Sequence, residues 1–353
     1  MKTRKRPAAR AVKKEQPRSR PALSPLANSL LREWRRLQLP LKNEPIVIGV
    51  SGGADSVALL MALDELTNAR KLDLTLIVSH IDHRLRKTSR EDSRWVKNLA
   101  QALDLQVVIS RVDVKSRKGN LEQAARRARY EAFAKLAQKR RAKLVLTAHT
   151  LDDQAETILF NLLRGSGADG LGGMETIRQL KENQETLLVR PFLSWTRRAD
   201  TERYCRDRNI DSRWDEMNED ETFTRVRIRR QLLPLLETFN PRVAEAIART
   251  GALVRDDNEA LDRAAGRLLE LSLEESAKQD QVRTDLLAVA PSALRRRAVR
   301  LWLESCRGHL RRLELVHITA VESLIVENRG ARRIELPGGA GVSRKRGLLT
   351  FNA

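Results

Sequence analysis

The segment IVIGVSGGADS, residues 46–56, constrains the fold of this chain more than any other stretch. A short apolar run breaks at a Ser-Gly-Gly turn and continues at once as an apolar-periodic helix. Gly52 and Gly53 have no Cβ, so they can adopt positive φ and let main-chain N–H groups converge on an anion. The helix that starts near Asp55 directs its partially positive N-terminus at the same point. This order of elements predicts a phosphate-binding pocket, although two glycines alone also suit an ordinary strand-to-helix turn.

The loop differs from the commonest nucleotide-binding loops. No GxxxxGK[ST] motif occurs in the chain, so no P-loop lysine is available for β- and γ-phosphates. The segment SGGADS instead resembles the pyrophosphate loop of the N-type ATP pyrophosphatases. That resemblance implies that the loop holds the β,γ-diphosphate of ATP as a leaving group and exposes the α-phosphate to attack. The residues implied in binding ATP are Ser51, Gly52, Gly53, Ala54, Asp55 and Ser56.

Strand-like and helical patterns alternate along the first two thirds of the chain. Strands are predicted at 46–50, 74–81, 105–112, 144–148 and 187–192, and helices near 55–68, 91–103, 120–140 and 152–164. Such alternation predicts an α/β domain with a parallel, Rossmann-like sheet, helices on both faces, and ligands outside the carboxyl ends of the strands. After about residue 215 the strand pattern ends, and helices are predicted from Arg225 to about Glu327. The last segment, around Gly338, predicts a small β-hairpin.

These patterns and the composition divide the chain into four predicted segments. Residues 1–25, rich in Arg, Lys, Pro and Ser, are expected to form a disordered basic tail. Residues 26–215 form the predicted PP-loop ATP pyrophosphatase domain, and residues 216–240 a linker helix. Residues 241–353 form a smaller, mainly helical domain for substrate and RNA binding, which ends in the hairpin.

Charge is the second feature that limits function. The chain has 67 Lys and Arg against 46 Asp and Glu, a net charge of +21, which predicts a polyanionic partner. Residues 1–20 contribute +8, and the remaining +13 is spread over the rest of the chain. Aromatic residues make up only 4% of the chain. A low aromatic content argues against many base-stacking platforms and favours recognition of nucleic-acid shape and backbone.

Cysteine usage and hydropathy indicate the compartment. No apolar run approaches the roughly 20 residues that cross a bilayer, and the N-terminus lacks a signal-peptide apolar region. Cys205 and Cys306 form no CxxC pair, which argues against a disulfide framework and a structural zinc site. We therefore expect a cytoplasmic protein with no membrane partner.

Polar residues follow two of the predicted strands. HIDHRLR, residues 80–86, follows the second strand, and TAHTLDDQAET, residues 147–157, follows the fourth. Histidines and carboxylates that leave a sheet together can line a nucleotide pocket or carry a proton. Acids at a helix start also serve as N-caps and dipole partners, which accounts for one or two of them. Beside a triphosphate loop they predict Mg²⁺, held by one or two carboxylates and by nucleotide oxygens. The candidates are His80, Asp82 and His83 for the nucleotide, and His149, Asp152, Asp153 and Glu156 for the acidic edge.

Two further segments have candidate functions. GNLEQAARRARYEAF, residues 119–133, places several arginines on one helix, for which a solvated basic face is the alternative. LLRGSGADGLGGM, residues 162–174, contains five glycines, which argues against a regular helix and predicts a flexible loop that closes on substrate.

Five segments together resemble the tRNA(Ile)-lysidine synthetase family: HIDH, GNLEQAARRARY, AHTLDDQAET, LLRGSGADGL and RPFLSWTRRADTERYC, in this order. The resemblance continues through residues 214–234 to the ELPGG near the end. It implies a ligase that forms a C–N bond. ATP adenylates the C2 oxygen of the wobble cytidine in a minor isoleucine tRNA, and the ε-amine of free L-lysine then attacks C2 and expels AMP. The product, lysidine, changes codon reading from AUG to AUA.

The same resemblance implies roles for single residues. Asp55 and Asp153 are implied as Mg²⁺ ligands, and Asp55, His149, Asp152, Asp153 and Glu156 as the catalytic edge. An ammonium with a pKa near 10.4 must lose its proton before it attacks, and the base that accepts this proton is left open. The arginines implied to face the anticodon region of the tRNA are Arg126, Arg129, Arg225, Arg227 and Arg229. For the last three, a linking helix with solvated arginines is the alternative.

Other functions remain open at this point. Enzymes that thiolate tRNA share the pyrophosphate loop, but they need a sulfur carrier, for which the isolated cysteines are poor candidates. A non-catalytic basic RNA-binding protein is a second alternative, and the intact loop and acidic edge argue against it. The long helical segment after residue 225 also offers a surface for a homodimer.

Deletion of residues 1–20 is expected to weaken tRNA binding modestly and to flatten its salt dependence. The tail contributes +8 to the net charge, and the salt slope scales with the number of phosphates neutralised. Filter binding of a minor isoleucine tRNA over a series of KCl concentrations measures both quantities. A slope that the deletion leaves unchanged would show that the tail does not touch RNA.

Overall fold

A computed structural model describes residues 23–82, 89–112, 121–181, 185–213, 223–273, 280–327 and 332–352. The prediction for His83 and most of the predicted tail lie outside this part of the chain. The described residues form two compact units. The first contains the residues up to Gln154 together with Glu175–Arg227, and the second contains Ala155–Met174 and the residues from Ile228 onward. None of the described helices is long and apolar enough to cross a membrane.

The described helices and strands are numbered here in chain order. The strands are β1 (Lys42–Gly49), β2 (Asp73–Asp82), β3 (Gln106–Arg111), β4 (Leu144–Leu146), β5 (Ile177–Gln179), β6 (Leu187–Val189), β7 (Gln281–Arg283), β8 (Arg332–Glu335), β9 (Gly341–Lys345) and β10 (Leu348–Asn352). The helices are α1 (Pro25–Arg36), α2 (Ala54–Asn68), α3 (Ser89–Ala102), α4 (Leu121–Arg140), α5 (Leu151–Leu163), α6 (Ala168–Leu171), α7 (Arg198–Asp207), α8 (Thr224–Arg227), α9 (Leu233–Phe239), α10 (Val243–Ser272), α11 (Asp285–Val289), α12 (Ser292–Arg307) and α13 (Leu315–Val326). A π-helical turn, Ile228–Leu232, lies between α8 and α9.

The sheet of the first unit has the strand order β3-β2-β1-β4-β6-β5. Strands β3, β2, β1, β4 and β6 are parallel, and β5 runs antiparallel to β6 at the edge. Strand β1 pairs with β2 on one side and with β4 on the other. The direction in which the chain adds strands to the sheet therefore reverses at β1. In a doubly wound sheet, ligands bind at the carboxyl end of such a switch point. The predicted Rossmann-like parallel sheet is therefore confirmed.

Strand β1 is apolar at successive positions because both faces of the sheet are covered. Ile46 and Ile48 pack in the core that contains α1 and α2, whereas Val47 packs on the opposite face with Phe133 and Ala137 of α4. All three β1 side chains are fully buried. A parallel strand buried on both sides is typically a continuous apolar run rather than an alternating one. The sequence pattern at 46–50 thus follows directly from this position in the sheet.

The second unit combines helices with a small antiparallel sheet. Helix α10 packs along α12, and the sheet has the order β7-β10-β9-β8. The predicted hairpin around Gly338 is β8–β9, whose connection contains Gly338 and Gly339, both with positive φ. Strand β10 follows after a second tight turn and pairs antiparallel with β9. The prediction of helices alone between Arg225 and Glu327 is wrong at Gln281–Arg283, which forms β7 and pairs with β10. Three residues are too few to show a local strand pattern, and this pairing depends on a partner far along the chain.

Gly49→Ala is expected to destabilise the protein by about 1–3 kcal/mol. An added Cβ would lie 2.7 Å from Cζ of Phe133, whose ring is buried and cannot move aside freely. Gly266→Ala, inside α10, is the matched control, because nothing lies within 4 Å of its Cβ position. The control should gain roughly 0.5–1 kcal/mol, since alanine favours helix over glycine. Urea denaturation of both variants measures the difference, and equal midpoints would contradict this packing.

Candidate nucleotide site and its acidic edge

The loop after β1 is closed by hydrogen bonds between its own residues. Ser56 Oγ donates to the carbonyl of Gly53 at 2.9 Å, and the N–H of Ser51 donates to Ser56 Oγ at 3.1 Å. Gly52 has φ +103°, a left-handed conformation in which a side chain would be strained. Gly53 is the N-cap of α2 and has no side chain to accept from the first N–H groups of that helix. These N–H groups are therefore available to an anion.

Neighbouring segments hold this loop in place. His80, at the end of β2, is 4% exposed, and its Nδ1 lies 2.8 Å from the carbonyl oxygen of Val50. A ring nitrogen that faces a carbonyl must donate, so Nδ1 carries the proton. The main-chain N–H of Arg213 donates to the carbonyl of Gly52 at 2.9 Å. Asp82 is buried at the end of β2. The structure thus places His80 behind the loop.

Helix α7 is docked beside α2, and its first turn places two arginines at the acidic edge. Glu65 on α2 accepts hydrogen bonds from Tyr204 Oη at 3.1 Å and from Arg208 Nη2 at 2.9 Å. These contacts dock α7 beside α2. Asp152 in turn accepts from Arg197 Nε at 2.9 Å and from the main-chain N–H of Arg198 at 2.7 Å. The first turn of α7 is therefore bound to the start of α5.

Arg198 links the two carboxylates that were predicted as metal ligands. Its Nη2 donates to Asp153 Oδ1 at 3.0 Å, and its Nε lies 3.7 Å from Asp55 Oδ2. Thr201 Oγ1 donates to the other oxygen of Asp55, and the N–H of Thr150 donates to Asp153 at 2.8 Å. The structure therefore brings Asp55, from the loop after β1, close to Asp153, from the segment after β4.

The environment of Asp55 disfavours its charge. Burial and the nearby negative charge of Asp153 raise the pKa of Asp55 to about 6, although Arg198 and Thr201 oppose the shift. A bound cation would relieve the repulsion between two such carboxylates. In the described part of the chain, no three or more His, Cys, Asp or Glu side chains surround one point. A metal at Asp55 and Asp153 would therefore need further oxygens from substrate and water.

His149 is neutral at physiological pH. Burial lowers its pKa to about 3, and the charges of Arg190, Arg129 and Arg126 lower it further, while Asp153 opposes the shift. Its Nδ1 lies 3.0 Å from Thr147 Oγ1. A neutral imidazole can donate a hydrogen bond from one nitrogen and accept one at the other.

Glu156 belongs to the second unit, where it pairs with an arginine that was predicted to face RNA. Arg229 Nε and Nη2 lie 2.7 and 2.8 Å from the two oxygens of Glu156, which is 3% exposed. This bidentate pair joins α5 to the π-helical turn. Of the other predicted RNA-facing arginines near this turn, Arg227 is exposed and Arg225 is half-buried.

The glycine-rich loop is anchored within the second unit. Arg255 Nη2 on α10 donates to the carbonyls of Gly172 and Met174. Asn161 Nδ2 donates to the carbonyl of Gly170 at 2.6 Å, and Arg300 Nη1 lies 2.6 Å from Asp169. Four residues of the loop form the one-turn helix α6. Side chains from α5, α10 and α12 thus contact the carbonyls and the carboxylate of this loop, and its closure on substrate stays a prediction.

Comparison with known proteins adds to this geometry. A PP-loop domain model matches residues 26–236, and a TilS substrate binding domain model matches residues 284–350. The tRNA(Ile)-lysidine synthase of Leifsonia xyli subsp. xyli is 41% identical over 315 residues, which cover 87% of this chain and 89% of that protein. The chain belongs to the tRNA(Ile)-lysidine synthase family. Other members include those of Rhodococcus erythropolis, 38% identical over 93% of this chain and 95% of that protein, and Nostoc sp., 35% identical over 84% and 88%.

A solved structure outside the lysidine synthases shares the fold. The U34-tRNA thiolase NcsA from Methanococcus maripaludis, solved with its [4Fe-4S] cluster, matches with a TM-score of 0.54. The match covers 65% of this chain and 79% of the thiolase, at 13% identity. At that identity the likeness shows the fold alone.

Sequence analysis missed the residues at the start of α7 that contact Asp55, Asp152 and Asp153. Arg197, Arg198 and Thr201 lie in the segment RPFLSWTRRADTERYC, which was used only to recognise the family. Two adjacent arginines at a helix start are unfavourable for the helix dipole. That local conflict was the available signal, because acidic partners elsewhere in the fold must compensate for it.

Arg229→Met is expected to lower the free energy of unfolding by about 3–5 kcal/mol, because the carboxylate of Glu156 would stay buried without its guanidinium. Urea denaturation followed by circular dichroism measures the loss. The double variant Glu156→Gln with Arg229→Met, which also removes the negative charge, should recover much of it. Arg227→Met, at an exposed neighbouring position, is the control and should stay within roughly 0.5 kcal/mol of the parent. Equal losses in the two arginine variants would show that the pair contributes nothing specific.

Proposed function

We propose that this protein uses ATP to join free L-lysine to C2 of the wobble cytidine of a minor isoleucine tRNA. The reaction releases AMP and pyrophosphate, and the lysidine formed changes codon reading from AUG to AUA. The observation that carries this proposal is the likeness to tRNA(Ile)-lysidine synthases over most of the chain, in both the PP-loop domain and the substrate binding domain. The net charge of +21 supports a tRNA substrate.

The loop at residues 51–56 binds the β,γ-diphosphate of ATP in this proposal. Main-chain N–H groups in the first turn of α2 stabilise the negative charge that develops on the departing pyrophosphate. The C2 oxygen of cytidine attacks the α-phosphorus, and the bond to the bridging oxygen of pyrophosphate breaks. His80 acts indirectly, since it holds the carbonyl of Val50 at the start of the loop.

Asp55 and Asp153 fit a Mg²⁺ ion, because both provide carboxylate oxygens and burial leaves their mutual repulsion poorly screened. When bound, this ion supplies positive charge to the phosphates and the leaving group. In the described structure Arg198 provides the positive charge between these carboxylates. We propose that Arg198 and Thr201 position Asp55 toward the nucleotide.

The lysine ammonium must lose a proton before its nitrogen attacks C2. We propose that a carboxylate of the acidic edge accepts this proton, with Asp152, Asp153 and Glu156 as the candidates. Burial lowers the pKa of His149 to about 3, so its imidazole is a poor acceptor for this proton. Its proposed role is to orient substrate through hydrogen bonds. Arg126, Arg129, Arg225 and Arg227 are proposed to face the tRNA, whereas Arg229 holds Glu156.

The thiol groups argue against sulfur transfer as the alternative. Cys205 is 2% exposed, and burial, followed by the charge of Asp55, raises its pKa to about 11. Its Sγ donates to the carbonyl of Ala54 at 3.6 Å. Burial also raises the pKa of Cys306. A sulfur carrier reacts as a thiolate, and neither cysteine favours that form. A cytoplasmic location and a homodimer stay predictions from the sequence.

The test is mass analysis of nucleosides from a minor isoleucine tRNA incubated with the protein, ATP, Mg²⁺ and lysine. We expect a lysine adduct on cytidine and stoichiometric AMP. Asp55→Ala should reduce AMP release by orders of magnitude and leave tRNA affinity nearly intact, because the residue acts on the nucleotide. Release of ADP in place of AMP would refute the proposed chemistry. Equal loss of tRNA affinity and AMP release would show that the loop has another role.

A further inference from the structure

A cluster of positive charge surrounds one tyrosine in the first unit. The Tyr130 cluster comprises Arg126 and Tyr130 on α4, Arg178 on β5, and Arg190 just after β6. The guanidinium carbons of Arg126 and Arg178 lie 5.2 and 5.0 Å from the centre of the Tyr130 ring. Both distances are typical of cation–π contacts. A guanidinium stacked on a ring keeps its N–H groups in its own plane, where they can reach an acceptor.

The arginines of the Tyr130 cluster have no carboxylate partner within the described residues. Arg178 Nη1 donates to the carbonyl of Gln179 at 2.9 Å, and Arg190 Nη1 to the carbonyl of Glu175 at 2.6 Å. Arg190 is 1% exposed, and its Nε is buried without a hydrogen-bond partner among them. By contrast, Arg197, Arg198 and Arg213 all pair with aspartates. Buried charge without a counter-charge is costly, so this arrangement indicates an anionic ligand.

The charge of the Tyr130 cluster reaches the proposed catalytic edge. Burial opposes ionisation of the phenol, yet Arg126, Arg190 and their neighbour Arg178 together lower the pKa of Tyr130. Arg190 and Arg126 also help to keep His149 uncharged. Arg126 and Arg190 therefore act on both Tyr130 and His149, and Asp153 opposes them at His149.

We infer that the Tyr130 cluster binds a backbone phosphate of the tRNA beside the cytidine that is modified. Arg126 and Arg178 donate to the phosphate, and Arg190 positions Tyr130 beneath them. This inference rests on the proposed function, because it names a subsite for the same tRNA. Arg126 is exposed and Arg178 is half-buried, so both can meet a ligand from solvent.

The exposure of Arg126 and the place of Arg178 on the edge strand favour tRNA over ATP as the source of the phosphate. The predicted triphosphate loop follows β1, whereas Arg178 lies on β5 at the edge of the sheet. Strands β4 and β6 separate the two in the strand order. Three spacings of about 4.8 Å place β5, with Arg178, roughly 14 Å from β1. The Tyr130 ring lies nearer to β1, because its centre is 6.4 Å from that of Phe133, which packs on Gly49. The fork of an arginine also suits the paired oxygens of a phosphodiester.

The test compares two variants. The first is a double variant that carries both Arg126→Gln and Arg178→Gln, and the second, its control, carries Arg127→Gln alone. Arg127 is exposed on α4, directly after Arg126, and carries the same charge. Filter binding of a minor isoleucine tRNA without ATP or lysine is measured over a KCl series. Binding of a non-hydrolysable ATP analogue is measured separately without tRNA. Thermal denaturation confirms that each variant is folded.

The double variant is expected to bind tRNA on the order of tenfold more weakly, with a salt slope smaller by roughly 0.7 for each lost phosphate contact. Its affinity for the ATP analogue should match that of the parent. Arg178→Lys keeps the charge but loses the fork, so it should fall between the parent and the double variant.

Three outcomes would overturn the inference. An equal loss in Arg127→Gln would show a diffuse basic surface in place of a site. Loss of ATP-analogue binding with unchanged tRNA affinity would assign the Tyr130 cluster to the triphosphate. Unchanged affinity for both would show that the cluster only stabilises the fold. Because these assays do not depend on lysidine formation, a failure of the proposed reaction would be seen separately.

Discussion

Strand β1 is paired on both edges and buried on both faces, and the geometry of the site depends on that position. Its carboxyl end is the point from which the chain crosses over in both directions, to β2 on one side and β4 on the other. The glycine loop leaves the sheet there, and the acidic segment leaves the neighbouring strand β4. Only a parallel pairing brings these two segments, nearly a hundred residues apart in sequence, to the same edge. Gly49 lies under the ring of Phe133, so even the last residue of the strand is sterically determined.

Charge is arranged differently in two parts of the first unit. At the acidic edge, the carboxylates of Asp55, Asp152 and Asp153 meet the guanidiniums of Arg197 and Arg198. In the Tyr130 cluster, cations meet an aromatic ring and main-chain carbonyls. The first arrangement nearly balances its charge, and a cation that enters must compete with Arg198. The second keeps excess positive charge, which suits a phosphate group from outside.

The sequence allowed a prediction of the sheet because its central strands β1, β2 and β4 are largely buried and read as apolar runs. Five strands were predicted close to their positions, from β1 to β6, whereas β5 was missed. Three residues at a sheet edge carry no pattern of their own. Local patterns also failed at β7, which exists because β10 lies beside it. For the candidate site, the loop and the acids were apparent from their order along the chain. The cations that hold the acids were not, because Arg197 and Arg198 act across about 45 residues of sequence.

The sequence by itself determined the class of fold, the phosphate loop, the excess of positive charge and the family. Each of these depends on the order and type of residues within short segments. Tertiary structure decided which arginine serves which purpose. Arg229 pairs with a buried glutamate, Arg198 links two aspartates, and Arg126 and Arg178 stack on a tyrosine. All four are the same residue type, and their different roles follow from the distance to a partner and from burial, which only the folded chain sets.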